Sequence, residues 1–217
     1  MRVVSVNVGL PREVEWRHDL VETAIHKSPV AGPVVVRRLN LDGDRQADLS
    51  VHGGPEKAVY VYPSEHYPHW QQELPGIPLP WGAFGENLTT EGIQEVGVHI
   101  GDVLRVGTAE FVVTQPRMPC FKLNVRFQRS DMVKRFLQSG RAGFYLAVLQ
   151  EGQLQAGDSV ELVPTAEPAV TVSELAALYT TERDNRALMQ RALETRGLPQ
   201  GWREWFREQL ARVAARD

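Results

Sequence analysis

Across residues 1–165 no apolar run is long, and short β-branched or aromatic runs are cut at close intervals by glycine and proline. That punctuation restricts the fold more than any other feature. No long helix passes through it, so the backbone must find its hydrogen-bond partners across strands. Val3 to Val8 alternates as a strand does, and Val34-Val35-Val36 begins a second. Ala58 to Tyr62 is continuously apolar, which predicts a strand buried on both faces. Val103 to Val106 and Glu110 to Thr114 flank Gly107-Thr108-Ala109 and read as a hairpin. Phe144 to Leu149 and Ser159 to Val163 complete the set. Many short strands with glycine turns predict a mainly β fold, a closed or nearly closed β-barrel that leaves no edge exposed. Two peripheral helices are expected, Ser64 to Glu73 with Ser64 as N-cap, and Ser130 to Gln138 closed by Gly140.

The pattern changes near residues 164–168, which divides the chain into a barrel domain, 1–165, and a small three-helix element, 166–217. Thr171-Val172-Ser173-Glu174 is a capping box opening a helix over 172–179. A second helix is expected from Thr181 to Arg196, stopped by Gly197-Leu198-Pro199. In the third, Trp202, Trp205, Phe206, Leu210 and Val213 share one apolar face. Helices this short need a partner surface, either the barrel or a second subunit, so a homodimer is one expectation.

A net charge of -3 and a pI near 6.1 argue against a partner held by nucleic-acid phosphates. No apolar run approaches the ~20 residues that span a bilayer. The N-terminus carries one charge and then alternates, as a strand does and a signal peptide does not. With a single cysteine and no export signal, a cytoplasmic location is expected.

That cysteine, Cys120, has no internal partner for a disulfide. A lone cysteine is most often a small buried hydrophobe. Here two prolines, Pro116 and Pro119, precede it, and Arg117 and Lys122 bracket it with positive charge. Cations favour thiolate, which is a soft metal ligand. Two other runs are dense in polar groups. The first, residues 43–58, offers Arg45, His52 and Lys57 to an anion, with Gly53-Gly54 permitting close backbone approach. The second, residues 81–93, offers Gly85, Glu86 and Asn87. Either run also reads as an ordinary loop or turn, and neither matches a phosphate-binding glycine motif. His66 and His69 share a helical face, but a zinc site lacks further ligands there.

Taken together, residues 44–60, Phe84 to Leu88 and Arg117 to Leu123 resemble, in order and spacing, the signature blocks of the MOSC domain, the molybdenum cofactor sulfurase C-terminal domain. The last three helices resemble the extension of its YiiM-like branch. The resemblance covers nearly the whole chain. It implies a β-barrel that binds molybdenum cofactor with Cys120 as sulfur ligand to the metal. It also implies an oxidoreductase that reduces N-hydroxylated compounds such as hydroxylaminopurines, amidoximes and hydroxylamines. His52, Gly53, Gly54, Lys57, Gly85, Glu86 and Asn87 would line the pterin pocket, with Arg45, Arg117 and Lys122 toward the phosphate or metal-bound oxo groups. The chain has no cysteine cluster, so electrons would come from a separate redox protein. Two other readings stand beside this one: a cofactor carrier or sulfur-transfer module with a persulfide on Cys120, and a noncatalytic interaction protein that exposes its tryptophan face. Asp48, His52 and Glu86 are the candidate acids.

Overall fold

Where the sequence is most continuously apolar, the chain forms its most buried strand. The computed structural model describes residues 1–48, 52–166 and 168–215. The first strands are β1 (Arg2–Val8), β2 (Arg12–Trp16), β3 (Asp19–Thr23), β4 (Ser28–Pro29), β5 (Val34–Val36) and β6 (Val59–Pro63). Helix α1 (Tyr67–Glu73) and β7 (Leu88–Glu91) follow, then β8 (Val103–Val106) and β9 (Ala109–Pro116). Helices α2 (Lys122–Phe127) and α3 (Met132–Ser139) precede β10 (Phe144–Gln150), β11 (Gly152–Leu154) and β12 (Val160–Val163). Helices α4 (Val172–Tyr179), α5 (Arg186–Glu194) and α6 (Gln200–Ala214) come last. No helix among the described residues is long and apolar enough to cross a membrane.

The fold is mainly β with several helices. One eight-stranded sheet runs in the order β12-β8-β9-β10-β6-β7-β1-β4, and β11–β5 and β2–β3 form separate pairs. Every residue of β6 is buried, as its unbroken apolar run predicts. The β8–β9 hairpin also forms as expected. Strands β6 and β7 are parallel, with Val61 opposite Leu88. A parallel pair needs a long crossover. Residues 64–87 provide it, carry α1, and end in the loop that enters the site described below.

The expected barrel is not found, because no sheet closes into one. The sheet ends at β12 on one side and β4 on the other. Near β12 the first residues of β1 meet the chain before β12 at an isolated bridge between Arg2 and Ser159, with the Val3 N–H on the Asp158 carbonyl at 2.9 Å, the Gly157 N–H on the Val3 carbonyl at 2.9 Å and the Val160 N–H on the Met1 carbonyl at 3.0 Å. Strand β4 has two residues, one of them Pro29, which has no N–H with which to extend a ladder.

Local expectations need smaller corrections. Ser64 opens a single 3-10 turn, Ser64–His66, without capping it through its side chain. Gly140 does close α3, at φ 67°. The Thr171–Glu174 capping box forms in both directions, at 3.0 and 2.9 Å. Helix α5 starts later than expected, because Asn185 takes the N-cap by accepting from the Leu188 N–H at 3.0 Å.

Two cores result. In the first, Val61, Phe111 and Phe144 of the sheet pack with Leu175, Leu178, Met189 and Phe206 of the last three helices. Trp202, Trp205 and Leu210 are partly buried against it, so the tryptophan face is used within the chain. The second core is aromatic: Tyr62, Tyr67, Trp70, Phe84, Phe127 and Phe136, contributed by β6, α1, α2, α3 and the loop before β7. The Trp70 indole N–H donates to the Tyr62 hydroxyl at 2.6 Å, satisfying both groups inside it.

Candidate functional site

Four segments meet beside the aromatic core: residues 23–27 at the end of β3, 45–48 with 52–57 before β6, 84–87 before β7, and 117–122 after β9. They enclose a cavity lined by Arg45, His52, Gly53, Lys57, Gly85, Asn87, Arg117, Cys120 and Lys122, among others. Nine of the eleven residues singled out from sequence are therefore brought together. Gly54 and Glu86 do not line it. Gly54 instead turns the chain, at φ 86°, into the short helix Pro55–Lys57.

Cys120 follows Pro119 and precedes α2. Helix begins two residues after it, and the Leu123 N–H closes on the Cys120 carbonyl at 3.0 Å. The thiol Sγ lies 3.3 Å from His52 Nε2. Burial pushes the Cys120 thiol up, but the His52 hydrogen bond, the Arg117 charge and the Lys122 backbone N–H outweigh it and bring its pKa down to about 7. Lys122 thus acts on the sulfur through its backbone. Cys120 is part-exposed, so a low-pKa thiolate faces the cavity.

Arg117 is buried, and its guanidinium lies over the Phe136 ring at 4.9 Å and the Tyr60 ring at 5.4 Å. Burial works against its charge, yet Tyr60, Tyr145 and Cys120 around it leave its pKa raised. Its Nη1 is buried and finds no hydrogen-bond partner among the described residues. A buried guanidinium left one partner short, beside a cavity, is suited to an anionic guest.

Glu86 does different work from that expected of it. It is fully buried and accepts from the Tyr67 hydroxyl, the Gly82 N–H at 2.9 Å, the Phe84 N–H at 3.0 Å and the Thr89 hydroxyl at 3.0 Å. Burial raises its pKa, and the Tyr67 hydroxyl and the backbone N–H groups oppose that rise. It shapes the loop whose Phe84 and Gly85 form the wall. Gly85 is at φ +83°, and a Cβ there would sit 2.8 Å from Ile25. Asn87 joins β6 to the site, accepting from the Tyr60 N–H at 3.1 Å and donating to Asp44 at 2.9 Å.

Sequence reasoning overlooked Lys27, which lines the cavity and pairs with the buried Asp44. Burial lowers the Lys27 pKa and Asp44 opposes that. Its run, His26-Lys27-Ser28-Pro29, carries no motif, so nothing local marked it. Among the described residues no group of three or more His, Cys, Asp or Glu is placed to hold a metal ion. The protein can therefore offer one thiolate and a set of cations, and a metal would have to bring its other ligands.

One consequence is measurable on the thiol alone. In the His52→Ala variant the pKa of Cys120 is expected to rise from about 7 toward the ordinary thiol range, because the hydrogen bond to the thiolate is lost. With a single cysteine, alkylation rate against pH reads that midpoint directly. An unmoved midpoint would assign the effect to Arg117 and the Lys122 N–H.

Comparison with known proteins points one way. The MOSC domain family model matches residues 48–161, and the model described as "YiiM-like, 3-alpha helix domain" matches residues 170–212. YflK of Bacillus subtilis (strain 168) is 41% identical over 211 residues, 97% of this chain and 95% of that protein. The crystal structure of YiiM from Geobacillus stearothermophilus superposes with TM-score 0.80 at 38% identity, covering 96% of this chain and 98% of that one. A protein of Gibberella moniliformis (strain M3125 / FGSC 7600) named "Reductase" is 39% identical over 155 residues, 70% of this chain but 28% of that protein.

Proposed function

The chain belongs to the MOSC domain family, a molybdenum cofactor-binding domain, and on that premise we propose that it holds this cofactor through Cys120 and reduces N-hydroxylated compounds. The observation that carries the proposal is the arrangement of Cys120, His52 and Arg117: a thiol of pKa about 7, its hydrogen-bonded imidazole, and a buried guanidinium with an unpaired Nη1.

The residues fit the group. Molybdopterin carries a phosphate and brings its own dithiolene sulfurs, so one protein thiolate completes the sulfur set. Arg45, Lys57 and Lys122 offer the phosphate positive charge, and Arg117 offers a donor already desolvated. Gly53 and Gly85, at φ +86° and +83°, let the loops of the cavity wall pack against Gln46 and Ile25, where a Cβ would sit 3.0 and 2.8 Å from those side chains. When bound, the cofactor supplies oxygen-atom and electron chemistry, and the protein supplies position and charge.

Reduction of an N–OH group consumes electrons and protons and releases water. His52, with Nε2 at 3.3 Å from the sulfur, holds a proton next to the reacting centre. Glu86 is occupied by its four donors and is excluded from that role by its burial behind the loop. The named reductase among the relatives agrees with the redox assignment, and a separate redox protein would deliver the electrons.

The test uses protein made in a host that synthesises molybdenum cofactor, supplied with a chemical electron donor and benzamidoxime. Formation of benzamidine in proportion to bound molybdenum is expected. Molybdenum-loaded protein that reduces no N-hydroxylated compound would overturn the reading.

A further inference from the structure

Arg117 is placed by a stretch of chain, residues 141–143, that belongs to neither β9 nor β10. The two strands pair as far as Pro116 opposite Phe144. Pro116 has no N–H to give the ladder, so the chain is held there by the Arg117 N–H on the Gly143 carbonyl, at 3.2 Å. Gly143 takes φ +62° and lies against β6, where a Cβ would run into the Val61 carbonyl. The same stretch fixes Tyr60, one of the two rings under the guanidinium, whose hydroxyl donates to the Ala142 carbonyl at 2.8 Å.

Glu95, from the chain after β7, ties that stretch down. It is buried, and its Oε1 accepts from the Gly143 N–H at 2.6 Å. His66 Nε2 lies 2.9 Å from both carboxylate oxygens, and the Ser173 N–H of α4 donates to the Glu95 carbonyl at 3.1 Å. Burial pushes the Glu95 carboxyl up, but the His66 contact and the backbone N–H groups on it outweigh burial and leave it below its ordinary value. Glu95 does not line the cavity around Cys120. A buried carboxylate is costly to keep, and what it can return is fixed geometry.

We infer that Glu95 is a positioning residue of the site: through Gly143 it fixes the backbone from which Arg117 reaches over Tyr60 and Phe136, and so sets where the guanidinium stands relative to Cys120. The inference rests on Arg117 serving the cofactor site and names what holds it there. His66 keeps the carboxylate in place, and α4 ties the last three helices to the same anchor.

The Cys120 thiol reports on Arg117, because the guanidinium charge helps to bring its pKa to about 7. The experiment measures alkylation rate against pH on the full chain, made in a host without molybdenum cofactor so that the thiol is free. A direct effect of charge and a loss of position have opposite signs here. Removing a negative charge favours the thiolate and lowers the midpoint, whereas displacing Arg117 raises it. Glu95→Ala is expected to raise the midpoint, slowing alkylation at pH 7 about fivefold, as a roughly tenfold weaker thiolate equilibrium would. Glu95→Asp keeps the charge but draws the acceptor back by one methylene, and is expected to move the midpoint the same way; it serves also if the alanine variant does not fold. Glu95→Gln retains an acceptor for the Gly143 N–H without the charge, and is expected to stay at the parent midpoint or fall below it. A midpoint that stays or falls in the alanine and aspartate variants, or one that rises equally in the glutamine variant, would overturn the inference. No cofactor or substrate enters the measurement, so failure of the reductase reading leaves this result standing.

Discussion

Replacing Cys120 by serine is expected to lower molybdenum-dependent reduction of benzamidoxime by about a thousandfold or more, the scale on which removal of a central catalytic group acts. The change is a single atom, sulfur to oxygen, in a site otherwise built to stabilise an anion there. The His52 contact, the Arg117 charge and the Lys122 N–H bring a thiol to about 7. A serine hydroxyl stays neutral under the same influences, because its ordinary pKa lies far above theirs to correct. The oxygen is also harder than sulfur and a poorer match for a soft-metal site. Since Cys120 is part-exposed in a loop, the fold should tolerate the change, and an unaltered melting profile would show that the loss is chemical. Activity within about tenfold of the parent would remove Cys120 from the mechanism.

The largest effect on stability is expected at Glu86. Glu86→Ala removes the acceptor for the Tyr67 and Thr89 hydroxyls and the Gly82 and Phe84 N–H groups, all inside the fold. Breaking a buried network from one side leaves its partners desolvated and unpaired, which costs about 3–5 kcal/mol. Against a total of about 5–15 kcal/mol for a domain, that is a large share. Urea unfolding of the variant beside the parent measures it. The loop before β7 should loosen as well, so cofactor content should fall with stability. A loss below about 1 kcal/mol would mean that water satisfies those donors and that the carboxylate is dispensable.

Much of the fold was legible because it is written locally. The apolar run of β6, the glycine between β8 and β9, and the Thr171–Glu174 capping box each announce themselves within a few residues. The β2–β3 hairpin does not. Its turn residues, Arg17 and His18, both take positive φ, at 50° and 72°, where Asn-Gly is the usual signal. Its strands also carry charge at many positions. Helix α2 has six residues, too few to display a helical period, and it follows two prolines that suggest extended chain. Closure of a sheet depends on how its two ends meet, and no local pattern encodes that, which is why the strand count pointed to a barrel while the sheet stays open.

The site shows the same division. Its cations, glycines and thiol were visible as residue types in three runs, and the cavity gathers nine of the eleven. Roles that depend on burial were not visible. Glu86 in a glycine-rich turn reads as a ligand until four donors are found converging on it from within. Lys27 reads as a surface lysine until Asp44 is found beneath it. Trp202 lies 82 residues beyond Cys120, and only the docking of α6 on the sheet puts it at a cavity that Cys120 also lines.

The most direct test of the central claim is metal and pterin analysis of the wild-type chain beside Cys120→Ser, both made in a host that synthesises molybdenum cofactor. If Cys120 holds the cofactor as proposed, molybdenum and pterin are expected near one per chain in the wild type, and molybdenum lost in the variant. Neither metal nor pterin in the wild type, or equal molybdenum in both, would contradict the assignment of Cys120 as the ligand that holds the cofactor.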